Sequence, residues 1–273
     1  MSWRGYLAVV VARFRVLLQY RAAAVAGIVT QIFWGCIKIM VLAAFFAVAV
    51  ETPPMTFEAV VVYIWLGQVF LGLLPWNHDS ELEELFRSGG VAYELLRPLD
   101  LYWFWFARTL AFRTAPTLLR MLPGTLFAVA ILPVIGLPEW ALTAPASVMH
   151  GLVFLVSFIG MVLLSCAVSI LISISMFWML EARGLVVITT GVVPVLSGMV
   201  VPLPLFPDWA QPFLQAQPFR GLCDVPFRLY SGDIPLELAG QEIAFQFAWV
   251  LVLILLGYAL IAHARKRVVV QGG

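Results

Sequence analysis

The chain has 273 residues, 63% of them hydrophobic and 11% charged, with a mean hydropathy of +1.00 and a formal net charge of +1. Soluble domains hold about 45–50% apolar and about 25% charged residues, so too little polar surface remains here to coat a water-soluble globule. The solvent is lipid, and the near-neutral charge gives no hint of a nucleic-acid partner.

The first twenty residues lack a compact apolar run followed by a small-residue cleavage site, so no cleaved leader is expected. Instead Trp3, Tyr6, Leu7, Val10, Phe14, Leu17 and Leu18 recur at helical spacing, with Arg4, Arg13, Arg15 and Arg21 between them. This predicts an interfacial helix over residues 1–21, lying in the headgroup layer. Six apolar segments follow, at about 22–50, 56–76, 114–137, 145–180, 185–203 and 242–263, each near the length of about 20 residues that crosses a bilayer. With both termini in the cytoplasm the six spans alternate. The inner side then holds Arg4, Arg13, Arg15, Arg21, Arg87, Arg97, Arg108, Arg113, Arg183, Arg265, Lys266 and Arg267, and the outer side only Arg220 and Arg228. That asymmetry follows the positive-inside rule.

Between the second and third segments lies "NHDSELEELFRSGGVAYELLRPLD", residues 77–100, with eight of the chain's 31 Asp, Glu, Lys and Arg residues. Ser80 is placed to cap a helix, with Glu83 three residues on. Glu81, Glu83 and Glu84 suit the positive end of its dipole, and Leu82, Leu85 and Phe86 give it an apolar face. "SGG" ends it, "VAYELL" forms a second short helix, and Pro98 closes the stretch. One reading is a loop folded back on the headgroups. Carboxylates are poor company for an anionic inner leaflet, which favours a soluble protein partner.

The outer stretch, residues 202–241, carries prolines at 202, 204, 207, 212, 218, 226 and 235, which forbid one continuous helix. Its Trp209, Phe213, Leu214, Phe219, Phe227 and Leu229 are too apolar for a solvated loop. Short helices and turns dipping back toward the outer leaflet, packed on protein, are expected. Among intramembrane polar residues, Gly27, Gln31, Gly35 and Lys38 form one stripe of the first span. Lys38 and Gln31 are candidates for a substrate path or a dimer seam, where the lysine suits an anionic or headgroup-bearing substrate. The plainer alternative is a lysine that snorkels or pairs with a carboxylate such as Glu58, beside glycines that permit close packing. Arg113 and Arg120, seven apart, are expected to snorkel to headgroups. Ser157, Ser165, Ser169 and Ser173 read as packing glue, and Trp103, Trp105, Trp209 and Trp249 as interface belts.

Catalytic constellations are missing. His78, His150 and His263 are scattered, without HExxH or metal spacing, and no GxSxG elbow occurs. Cys36, Cys166 and Cys223 share no close spacing. No GxxxxGK[ST] phosphate loop is present, so the chain offers no nucleotide site of that kind.

"ELLRPLD" after the charged inner stretch, "FW" and "EAR" after the fourth segment, and "PLPLFPDW…QPFR…DVPFRLYSGDIP" before the sixth resemble the ABC-2-type permeases, in particular a six-span exporter branch. The resemblance implies an all-α integral membrane protein, a single permease domain over 1–273, with a coupling region at 77–100 and re-entrant helices at 202–241. It implies a non-enzymatic transmembrane subunit of an ATP-binding-cassette exporter in the bacterial inner membrane. This chain would hold no cofactor, ATP and Mg being bound by a cytoplasmic ATPase dimer, and would pair with a like or related permease. Glu81, Glu83, Glu84, Phe86 and Arg87 would lie at the ATPase contact, with Glu181 and Arg183 as a second, smaller contact. An ion-coupled carrier and a non-transporting scaffold remain as rival readings. The carrier wants mid-span carboxylates, which spans two to five lack.

Overall fold

A computed structural model describes residues 3–19, 21–50, 52–77, 79–178 and 183–265. The described residues are all-helical, without a strand. In chain order the helices are α1 (Trp3–Leu17), α2 (Arg21–Val48), α3 (Phe57–Val69), α4 (Ser80–Arg87), α5 (Val91–Leu95) and α6 (Leu101–Leu126), which runs through a π-helical stretch, Phe127–Ile131, into α7 (Leu132–Val134). Then come α8 (Val148–Ser175), α9 (Arg183–Leu196), α10 (Gln211–Ala216), α11 (Asp224–Ser231) and α12 (Leu236–Arg265).

Four helical stretches are long and apolar enough to cross a membrane: Val25–Val48, Leu101–Val134, Val148–Ser175 and Leu236–Ala264. The second and fifth apolar segments form shorter helices, Phe57–Val69 and Gly184–Leu196. At about 1.5 Å per residue, 13 residues of α3 reach only part of a hydrocarbon core about 30 Å thick. The chain that follows is irregular, and irregular backbone at membrane depth is tolerable only where neighbours satisfy it.

α3 is apolar all round and buried from Ala59 to Val69, the mark of a core helix rather than a lipid-facing one. It packs on α2, α6 and α11, while α8 lies against α6, α11 and α12. On α8, Met161, Leu164, Cys166, Ala167 and Ile170 have no exposed surface. α1 lies along α6.

Three expectations need correction. The third apolar segment begins at Leu101, not near 114, because Asp100 caps α6 by accepting the Trp103 N–H at 3.2 Å. The arginines that interrupt the hydropathy there have partners, so the helix runs through them. The cap of α4 is Asp79 rather than Ser80: its carboxylate accepts the Glu81 N–H at 3.1 Å. The outer stretch ends earlier than 241, since α12 starts at Leu236.

The chain from 202 to 235 folds into short elements, with Trp209 and Phe213 exposed. Three 3-10 turns, Leu203–Leu205, Asp208–Ala210 and Pro218–Leu222, alternate with α10 and α11. Leu222, Val225, Phe227 and Leu229 are fully buried. Gly232 ends α11 with φ +80, where a Cβ would also lie 2.7 Å from that of Ala146.

Candidate functional site: an ion-paired elbow and a cationic cavity

The charged stretch folds into an elbow, α4 and α5, fastened to two other helices. Asp79 and Glu81 receive Arg13 of α1, at 3.2 Å and 2.6 Å, and Arg108 of α6, at 2.8 Å and 3.0 Å. Glu94 of α5 stands 3.8 Å from Arg108 and accepts the Trp105 indole N–H at 2.7 Å. The Tyr6 hydroxyl accepts the Asp100 N–H at 3.1 Å. Two carboxylates shared between two guanidiniums make the elbow, α1 and the start of α6 one mechanical unit. Charge-assisted bonds of this kind are each roughly twice as strong as neutral ones.

The predicted contact residues divide. Glu81 is tied into this network although its side chain stays 60% exposed. Glu84 and Arg87 are exposed and Glu83 is half-buried. Phe86 turns inward, its ring edge-on to Trp105 and Phe177 with centroids 5.7 Å and 4.9 Å away, so it anchors the elbow to the bundle. Glu181 lies outside the described residues, as does the side chain of Arg183, whose backbone opens α9.

Asp79, Glu94, Trp105 and Arg108 were not singled out as functional from the sequence. Trp105 is no belt residue: it is fully buried. A signal existed, since an arginine inside an apolar helix requires a partner.

Buried polar side chains hold the irregular chain after α3. There the Leu74 carbonyl accepts the Trp76 N–H at 2.9 Å, and side chains from three helices reach the carbonyls around it. Ser165 of α8 donates to the Leu73 carbonyl, Thr190 of α9 to that of Trp76 at 2.8 Å. Arg113 of α6 donates to the Leu74 and Asn77 carbonyls at 2.9 Å and 2.5 Å, to the Asn77 side-chain oxygen, and to Ser169 at 3.1 Å. Arg113 is therefore buried, 1% exposed, and does not snorkel. Its guanidinium holds the irregular chain after α3.

The same device recurs after α9. Lys38 donates to the Met199 carbonyl at 2.6 Å, and Gln217 to that of Leu196 at 2.9 Å. Lys38 thus pairs with backbone and not with Glu58, which is exposed. The serine stripe acts as glue, Ser157 donating to Gln246 at 2.9 Å. Arg220, Asp224, Arg228, Asp233 and Glu242 form a second ion-pair cluster, with Arg228–Asp233 at 2.5 Å and Arg220–Glu242 at 2.8 Å. Burial pushes the Asp224 carboxyl up from its ordinary range, against the pull of Arg228 and Arg220.

Lys38 also lines a cavity of about 430 Å³, together with Gly27, Gln31, Gln68, Trp76 and Arg120. Gln31 and Lys38, paired by sequence spacing alone, do share this wall. A second cavity of about 330 Å³ reaches from Trp76 and Arg120 to Asn77 and Arg113. Trp76 and Arg120 line both, so the two adjoin.

A family model described as "ABC-2 family transporter protein" matches residues 32–272. The chain belongs to the ABC-2 transporter family. The match begins inside α2 and takes in the elbow, α3, α9, the turns between α9 and α12, and α12 itself, so the chain is an ABC-2-type permease, a multi-pass membrane component. No curated protein and no solved structure matches it. In this permease, no group of three or more His, Cys, Asp or Glu able to hold a metal ion occurs among the described residues. The elbow carries exposed charge at Glu84 and Arg87, and a cationic cavity lies within the bundle.

Proposed function

We propose that this permease is the membrane half of an exporter in a bacterial cytoplasmic membrane, driven by ATP hydrolysed on a separate cytoplasmic ATPase pair. It works beside a second permease, like or related, and performs no catalysis itself. The single observation that carries this reading is the elbow. It presents Glu84 and Arg87 outward while Arg13 and Arg108 clamp its inner carboxylates to α1 and α6. A push on α4 must therefore move both helices. In this reading α2, α3, α6–α7, α8, α9 and α12 make six crossings, α3 and α9 being completed by irregular chain. Both termini are cytoplasmic, as the twelve inner basic residues against two outer ones favour. The outer turns between α9 and α12 close the external end of the path.

Purification of the full chain from native membranes tests this. ATP hydrolysis should co-purify, and Glu84→Lys, at an exposed position, should sharply reduce it while leaving the thermal melt of the permease unchanged. Equal co-purification of the ATPase with both forms removes the elbow from the contact. Proton-driven flux by the chain alone in liposomes would favour the ion-coupled carrier.

A further inference from the structure

The 430 Å³ cavity lies between α2, α6, the irregular chain after α3 and the turn after α9. Its wall holds two cations, Lys38 and Arg120, and no carboxylate. Charges at membrane depth are costly and normally paired, and the two behave differently. Lys38 uses one donor on the Met199 carbonyl, leaving two of the three that an ammonium carries. Arg120 has no hydrogen bond or ion pair among the described residues, and its Nε is buried without a partner. Gln31 is 7% exposed, and its amide nitrogen is likewise buried and unbonded.

Gly27 makes room for this arrangement, because a Cβ there would lie 2.7 Å from the Arg120 guanidinium carbon. The site thus holds two cations and unbonded donors on Arg120 and Gln31, with only the neutral oxygens of Thr30, Gln31 and Gln68 beside them and no anion to balance the charge. A cation is repelled from it, and a neutral molecule leaves its charges uncompensated. An anion with oxygens in a plane matches the guanidinium fork.

We propose that this cavity receives the anionic headgroup, phosphate or carboxylate, of an amphiphile whose tail stays in lipid, and that this is the substrate class of the permease. The proposal rests on the transport reading above. The remaining wall is apolar, with Trp34, Leu71, Trp76, Pro194, Met199 and Val200. Ligand pockets run from about 300 to 1,000 Å³, so this one holds a headgroup but not a long chain as well. Phe33 and Trp34, 58% and 52% exposed on α2, offer the tail an apolar exit beside the cavity. The adjoining 330 Å³ cavity, reaching Asn77 beside the elbow, supplies an approach from the inner side.

Calorimetry on the full chain in phosphatidylcholine nanodiscs, without nucleotide or ATPase, tests the site itself. The probes are dihexanoyl phosphatidic acid, dihexanoyl phosphatidylcholine and inorganic phosphate. Phosphatidic acid should bind at least about tenfold more tightly than either of the others. Arg120→Gln should weaken it roughly ten- to a hundredfold, as loss of a charge-assisted bond does. Arg120→Lys should recover part of the loss, and Gly27→Leu should block binding. The thermal melt of Arg120→Gln should match the parent, since that side chain holds nothing else.

Equal affinity for phosphatidic acid and phosphatidylcholine overturns the proposal, as does unaltered binding by Arg120→Gln. Inorganic phosphate binding as tightly as phosphatidic acid would mark a small free anion as the ligand and overturn the amphiphile. Failure here leaves ATPase association untouched, and loss of ATPase association leaves these affinities untouched, so the two readings fall separately.

Discussion

Arg113 and Arg120 lie about two turns apart on α6, one residue type in two environments. The region around Arg113 is saturated: carbonyls, an amide oxygen and a serine hydroxyl take its donors. The region around Arg120 is a cavity wall with nothing to take them. A buried cation that completes an interrupted backbone belongs to the architecture. One held beside empty space, with a glycine cleared for it, is available to a ligand.

The sharpest way to break that contrast is Arg113→Met. It orphans the Asn77 carbonyl and side-chain oxygen, each at a cost of about 1–3 kcal/mol, and takes one of two donors from the Leu74 carbonyl, losses that are large against the stability of a marginal fold. The variant should fail to accumulate as a monodisperse protein in detergent. Normal yield and melting would show that water or lipid can do what Arg113 does.

Next in size is Arg108→Ala. It strips Asp79 and Glu94, both nearly buried, of their shared cation, and removing one partner of a buried pair costs about 3–5 kcal/mol. Arg13 still holds Asp79 and Glu81, so the loss should be partial. Proteolysis of the elbow should speed up while α8 and α12 stay protected. Lys38→Met comes third. It leaves one carbonyl, Met199, without its donor and should lower stability by about 1–3 kcal/mol. Arg120→Gln is the smallest, within about 0.5 kcal/mol, and thermal denaturation of the last three variants should fall in this order.

The sequence announced the apolar segments, the elbow with its break at "SGG", and the broken outer stretch, because hydropathy and Pro/Gly punctuation are local. It misplaced the start of α6, since Arg108 and Arg113 lower the hydropathy of a helix whose partners are far along the chain. Asp79 is 29 residues from Arg108, and Ser169 is 56 from Arg113. The stripe of Gln31 and Lys38 was legible from helical spacing. Its completion by Arg120 was not, because no periodicity within α2 or α6 reports which faces meet across the bundle. Phe86 was legible as part of the apolar face of α4, but its partners, Trp105 and Phe177, were not, because they lie later in the chain.

The elbow carries the central claim, and Glu84 is its exposed probe. The natural cysteines give little background, since Cys166 and Cys223 are buried and Cys36 is half-buried. Labelling of Glu84→Cys with a membrane-impermeant maleimide can be compared between intact cells and inverted vesicles, with and without the co-purifying ATPase. The account predicts labelling in inverted vesicles alone, blocked when the ATPase is bound. Labelling from the outside of intact cells, or equal labelling with and without the ATPase, would contradict it.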